Sequence, residues 1–298
     1  MQTVAFGIQM LAQQTSNARL QTVPGAASSL RRFFIPREHG SWGMWLLPLL
    51  TGAAVGAQCT DKDCVLPVVW FLVAVLSAFV AYQPLEVLLS LSPIRMRTLA
   101  ERRWIILWIV ACLAIGFISL LQLLRLGRGG IVWFALVAAL CFDIRWIFGS
   151  TRAFRVSKQV LGALALTSTA TGAYYAATGE LNHTAMFLWL AFWLFSNVQI
   201  EFVQLCIRTA NAQSRRNKLL AGRVLLISYA GLFLAAIVAS LAGFTPALLS
   251  LCLVPALLRI GLWFFKAPRK INFHRLGVAE LFQSILFAVL LTVVFISQ

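Results

Sequence analysis

The sequence predicts an all-α fold, a polytopic membrane bundle of about nine transmembrane helices. Three observations predict it. The 298 residues are 60% hydrophobic and 11% charged, with a mean hydropathy of +0.85, whereas a soluble domain carries about 25% charged residues. Apolar stretches near 20 residues long recur along the chain, the length that crosses a bilayer. The Lys and Arg residues gather in alternate connections, as they do in multi-pass proteins.

The apolar stretches fall at 41–57, 65–91, 104–124, 131–149, 158–177, 184–206, 222–243, 245–265 and 277–297. The seventh and eighth are divided only by Gly243-Phe244-Thr245-Pro246, and Pro246 suits the first turn of a new helix, where its missing N–H costs nothing. The basic residues then set the topology. Arg19, Arg31, Arg32 and Arg37 precede the first span, and Arg95, Arg97, Arg102 and Arg103 follow the second. Arg145, Arg152, Arg155 and Lys158 follow the fourth, and Arg208, Arg215, Arg216, Lys218 and Arg223 follow the sixth. Lys266, Arg269, Lys270 and Arg275 follow the eighth. The opposite side holds only Lys62, Arg125 and Arg128, and Arg259 lies inside the eighth span. This asymmetry predicts a cytoplasmic N-terminus and an external C-terminus. It also accounts for the net charge of +16 through topology and anionic lipid, without nucleic acid.

Residues 1–33 lack acids, are rich in Gln, Ser, Thr and Ala, and contain the helix-breaking Pro24-Gly25 pair. They read as a disordered cytoplasmic tail, with an organellar transit peptide as the alternative. Residues 34–298 form the transmembrane domain. Cys112, Cys141, Cys206 and Cys252 read as small buried side chains. Cys59 and Cys64 flank the first external loop, where either a disulfide or two free thiols fits. His39, His183 and His274 are isolated, so the spacing offers no metal centre.

The nine acids carry the functional signal. Five of them, Glu38, Glu86, Asp143, Glu201 and Glu280, sit at or inside the cytoplasmic ends of spans. Charge at membrane depth costs several kcal/mol unless it faces a partner, water or the bundle interior. Asn197, Glu201 and Gln204 are spaced i, i+4, i+7 and share one helix face; Gln83 and Glu86 are spaced i, i+3 on another. Together with Arg259, these stripes predict a polar cavity open to the cytoplasm, with His39 and Glu280 at its edge. The competing reading is that these charges are shallow and pair locally, for example Arg259 with Glu280. At the entry to the first span, PREHGSWGMWLLP, Ser41 can cap the helix, Trp42 and Trp45 suit the interfacial belt, and Glu38 meets the positive helix N-terminus. His39 is left as a candidate reactive group. The run TSTATGAYYAATG in the fifth span can line a cavity or pack closely through small residues. Gly52-Ala-Ala-Val-Gly56 is a GxxxG motif, expected to pack within the bundle.

PREHGSWGMWLLPLLTG resembles the entry motif of the YwiC-like family of bacterial membrane proteins, as does LGVAELFQSILFAVLL near the C-terminus; the resemblance covers roughly residues 34–298. The helix count, and the polar stripes ending the second and sixth spans, are similar to the UbiA superfamily of intramembrane prenyltransferases. That similarity implies a UbiA-like enzyme or degenerate relative that binds an isoprenoid or another membrane lipid. Glu86, Glu201 and His39 are then the catalytic candidates. Gln83, Asn197, Gln204, Arg259, Glu38 and Glu280 would line the substrate cavity, and Arg95, Arg97, Arg215, Arg216 and Lys218 would hold phosphate. The sequence departs from the superfamily's Asp-rich motifs: the first site has Glu86 alone and the second Asn197 and Glu201. A thin carboxylate set puts a Mg²⁺ cofactor in doubt. The alternative function is a transporter or channel coupling ions through intramembrane Glu and Arg.

Overall fold

The computed structural model describes residues 39–60, 63–89, 99–147, 155–209, 215–243, 248–265 and 273–297. Among the described residues there are helices and no strands. The helices are α1 (His39–Gln58), α2 (Val65–Leu88), α3 (Leu99–Arg125), α4 (Ile131–Ile147), α5 (Arg155–Thr167), α6 (Thr169–Thr178), α7 (His183–Arg208), α8 (Arg215–Leu241), α9 (Val254–Phe265) and α10 (Phe273–Ile296). A short 3₁₀ turn, Leu249–Leu253, leads into α9.

Two compact units divide the chain: residues 1–36 with 79–113, and residues 37–78 with 114–298. In the first, Ala81, Val87, Ile105 and Ile109 are buried. The second holds the principal core, built around α6 and α7. Every residue of α6 from Thr169 to Ala177 is buried. Its small side chains allow α1 to lie directly against it. A Cβ added at Gly52 would overlap the backbone carbonyl of Ala170, and one at Gly56 would press on Ala177 and Tyr174. The GxxxG motif therefore packs within the bundle, as the sequence indicates. α1 also packs on α10, where Thr292 Oγ1 donates to Thr51 Oγ1 at 3.3 Å.

The fifth apolar stretch is not one helix. It breaks at Ser168 into α5 and α6. Three consecutive hydroxyls bond back to carbonyls there: Thr167 donates to Ala163 O (2.7 Å), Ser168 to Ala165 O (2.7 Å) and Thr169 to Leu166 O and Trp45 O (both 2.8 Å), while the backbone ladder runs on, Ser168 N to Leu164 O (3.3 Å) and Gly172 N to Ser168 O (3.0 Å). The Trp189 indole adds a donor to Leu164 O at 3.0 Å. The TSTATG hydroxyls thus serve packing and backbone satisfaction. At its other end α6 stops on Gly179, whose φ of 81° gives the left-handed cap that glycine adopts without strain. Arg128 Nη2 donates to Ala177 O there at 2.9 Å, a cation placed at the negative helix end. Asn182 caps α7, its Oδ1 accepting from Ala185 N at 3.1 Å, and its amide donates to Tyr174 Oη at 2.8 Å.

Large apolar side chains stand exposed along whole helices: Phe117 and Ile118 on α3, and Val224, Ile227, Leu234 and Val238 on α8. A water-soluble surface does not carry such continuous apolar faces. Five helices among the described residues are long and apolar enough to cross a membrane: Val65–Leu88, Leu99–Arg125, His183–Arg208, Leu219–Leu241 and Arg275–Ile296. Two more, Ile131–Cys141 and Leu249–Phe265, are apolar but shorter. The chain is a multi-pass membrane protein.

Candidate functional site

α7 organises the polar groups of the larger unit, and its 3.6-residue period sorts them onto different faces. The first face meets α5. Trp189 and Trp193 donate through their indoles to Leu164 O and Val160 O (3.0 and 3.4 Å), and the Gln204 amide donates to Gln159 Oε1. Asn197 stands one turn beyond Trp193 and donates to its carbonyl at 2.8 Å. Its Oδ1 is buried and accepts no hydrogen bond among the described residues. Glu201, half-buried one turn further, has no hydrogen bond or salt bridge among them. Arg208, two turns along, is the charge that acts on it, and Arg208 Nη2 donates to Gln204 Oε1 at 2.7 Å. The stripe Asn197, Glu201, Gln204 therefore exists as the spacing predicts, and it leaves two acceptors unfilled.

The second face meets α9 and α10. Phe195 stacks on Phe287 with centroids 3.9 Å apart and planes 2° from parallel. Gln199 Oε1 accepts from Ser284 Oγ at 3.0 Å, and the Gln199 amide reaches Glu280 O at 3.4 Å. Phe202 lies under the Arg259 guanidinium, 5.1 Å from ring centroid to Cζ. Arg259 Nη2 pairs with Glu280 Oε1 at 2.5 Å. The two side chains are 24% and 15% exposed, a pair largely withdrawn from solvent. The local pairing of Arg259 with Glu280 weighed from the sequence is thus the one found. Around the helix, Asn197 and Glu201 each stand about 160° from Gln199, so the two polar groups occupy different sides of α7. Sequence reasoning missed Gln199, Gln159 and Ser284. Their signal was faint, because a lone Gln or Ser in an apolar helix breaks no pattern.

Glu86 belongs to the smaller unit. Tyr82, one turn before it on α2, donates to Glu86 Oε1 at 2.5 Å. Glu38, Arg95 and Arg97 lie outside the described residues. So do the side chains of His39, Arg215, Arg216 and Lys218, whose backbones open α1 and α8. Because α1 begins at His39, Ser41 stands within its first turn rather than ahead of it. Among the described residues no three of His, Cys, Asp and Glu are close enough to hold a metal ion.

Residues 35–157 match the family model described as YwiC-like protein. The matched stretch carries PREHGSWGMWLLP and α1–α4 and ends inside α5; it does not reach LGVAELFQSILFAVLL. No curated protein and no solved structure matches the chain.

Proposed function

We propose that the whole chain is a YwiC-like membrane protein that binds an isoprenoid or similar lipid between its helices, with the lipid head at the cytoplasmic end of α7. One observation carries the reading: Asn197 Oδ1 and Glu201 present adjacent unfilled acceptors on one face of a membrane helix. Acceptors at that depth are costly unless a donor reaches them, and a hydroxyl- or amine-bearing head group supplies one. The basic loop bearing Arg215, Arg216 and Lys218, which follows α7, would hold a phosphate. In this reading α1, α4, the α5–α6 pair and the 3₁₀–α9 segment complete nine passes, with the N-terminus inside and the C-terminus outside. UbiA-like prenyl transfer is the activity that this reading proposes.

The test is native mass spectrometry of lipids that co-purify with wild type and with Glu201→Gln and Asn197→Ala. Enrichment of an isoprenoid or quinone precursor on wild type, lost in both variants, is the expected result. Lipid that mirrors bulk membrane composition in all three would sink the proposal.

A further inference from the structure

An arginine in the last turn of a helix ordinarily serves that helix by meeting its final carbonyls. In α7 that task falls to Thr209, whose hydroxyl donates to Leu205 O at 2.7 Å and Cys206 O at 3.4 Å and whose N–H donates to Leu205 O at 2.9 Å. The exposed Arg208 side chain is drawn aside instead. Its Nη2 donates to Gln204 Oε1 at 2.7 Å, and the Gln204 amide donates on to Gln159 Oε1 of α5. Arg208 sets the polarity of this relay. A guanidinium only donates, so Gln204 turns its oxygen to Arg208 and its amide nitrogen to α5, where Gln159 presents an oxygen in turn. The relay spends one of five guanidinium N–H groups, and among the described residues no carboxylate forms a salt bridge with Arg208. A planar guanidinium held in one orientation is suited to two parallel hydrogen bonds to an anion. Glu201 lies on the same face, about 10 Å back along the axis at 1.5 Å per residue.

We infer that Arg208 is the phosphate-binding residue of the Glu201 face, and that Gln204 and Gln159 are the positioning residues that aim its guanidinium. This rests on the lipid reading above and names the group that meets the anionic part of the head. Gln204, expected from the sequence to touch the ligand, acts through Arg208. The ligand class is a phosphate or diphosphate, carried by a lipid or free in solution.

Equilibrium binding to the full chain in phosphatidylcholine nanodiscs, with empty discs as reference, tests this with farnesyl diphosphate, farnesol and inorganic pyrophosphate. Wild type binds the diphosphate ester more tightly than the alcohol. Arg208→Gln weakens the ester at least about tenfold, the worth of a charge-assisted hydrogen bond, and leaves farnesol unchanged. Arg208→Lys keeps the charge, loses the fork and falls between the two. Gln204→Leu weakens the ester less than Arg208→Gln does. It adds nothing in the double variant, because no guanidinium remains to be aimed. Pyrophosphate that binds as tightly as the ester, and only with Arg208 present, supports the site and assigns it to a soluble phosphate. The inference is overturned by an Arg208→Gln variant that binds the ester like wild type or weakens farnesol equally, or by a Gln204→Leu loss that adds in full to the Arg208→Gln loss. Wild type that binds neither farnesol nor the ester above empty discs removes the lipid reading and the inference together. Farnesol binding lost in Glu201→Gln, with the ester indifferent to Arg208→Gln, removes the inference alone.

Discussion

Removing one partner of the Arg259–Glu280 pair tests how the α9–α10 corner is held. The guanidinium and carboxylate meet at 2.5 Å, with side chains 24% and 15% exposed. At an effective dielectric near 20, unit charges about 4 Å apart attract by about 4 kcal/mol. Truncating one member of a fully buried pair costs about 3–5 kcal/mol, because the other is left uncompensated. The residual exposure here brings that to about 2–4 kcal/mol for Arg259→Leu or Glu280→Leu. Arg259→Leu also loses its contact with the Phe202 ring, about 1 kcal/mol. The double Leu variant has no orphaned charge, and replacing both members of such pairs is near neutral; it should fall within about 1 kcal/mol of wild type. Equilibrium unfolding in mixed detergent micelles, followed by tryptophan fluorescence, gives the four free energies of the cycle. The two single losses should together exceed the double by about 3–8 kcal/mol. Single losses that add to the double within about 0.5 kcal/mol would mean the pair is not energetically linked.

Two further expectations use the same preparation or simple fusions. Gly52→Ala should cost about 2–3 kcal/mol, since its Cβ meets Ala170 backbone that cannot rotate away. Gly231→Ala, with nothing within 4 Å, should instead gain up to about 1 kcal/mol; the reverse order would refute the α1–α6 contact. Reporters fused after Asp63, Arg97, Arg216 and Gln298 should read outside, inside, inside and outside, and exposed Cys59 should take an impermeant thiol reagent from outside. A cytoplasmic C-terminus would undo the nine-pass arrangement.

The long spans were legible because nothing competes with hydropathy in them. The sixth stretch, read as 184–206, is α7 from His183 to Arg208, and the ninth, read as 277–297, is α10 from Phe273 to Ile296. The division at Ser168 was hidden, because the backbone ladder runs on through it, Ser168 N to Leu164 O and Gly172 N to Ser168 O. The packing of Gly52 and Gly56 was legible from their spacing alone. In the site, the i, i+4, i+7 rule found Asn197, Glu201 and Gln204 because charge and amide are conspicuous in an apolar helix. It could not say what lay opposite, since the partner Gln159 is 45 residues away in sequence. The convergence of Arg259 with Glu201 expected from the sequence followed from depth alone, and depth does not distinguish the sides of a helix.

That distinction matters for what a lipid could meet here. A helix with its side chains is about 10 Å across, so groups about 160° apart on α7 cannot close on one small head group. Arg259 and Glu280 neutralise each other on the α9–α10 side, while Asn197 and Glu201 remain unfilled near the α5 side. A ligand drawn to the unfilled acceptors meets a carboxylate without a paired arginine, so the contact favours a donor or a cation and repels a bare phosphate. If a diphosphate binds, its charge must be met further along α7, where Arg208 stands seven residues beyond Glu201, or by the basic loop that follows. The head group would then bridge from acceptor to cation along the helix axis, about 10 Å at 1.5 Å per residue. That span suits an extended diphosphate-bearing lipid better than a compact ion.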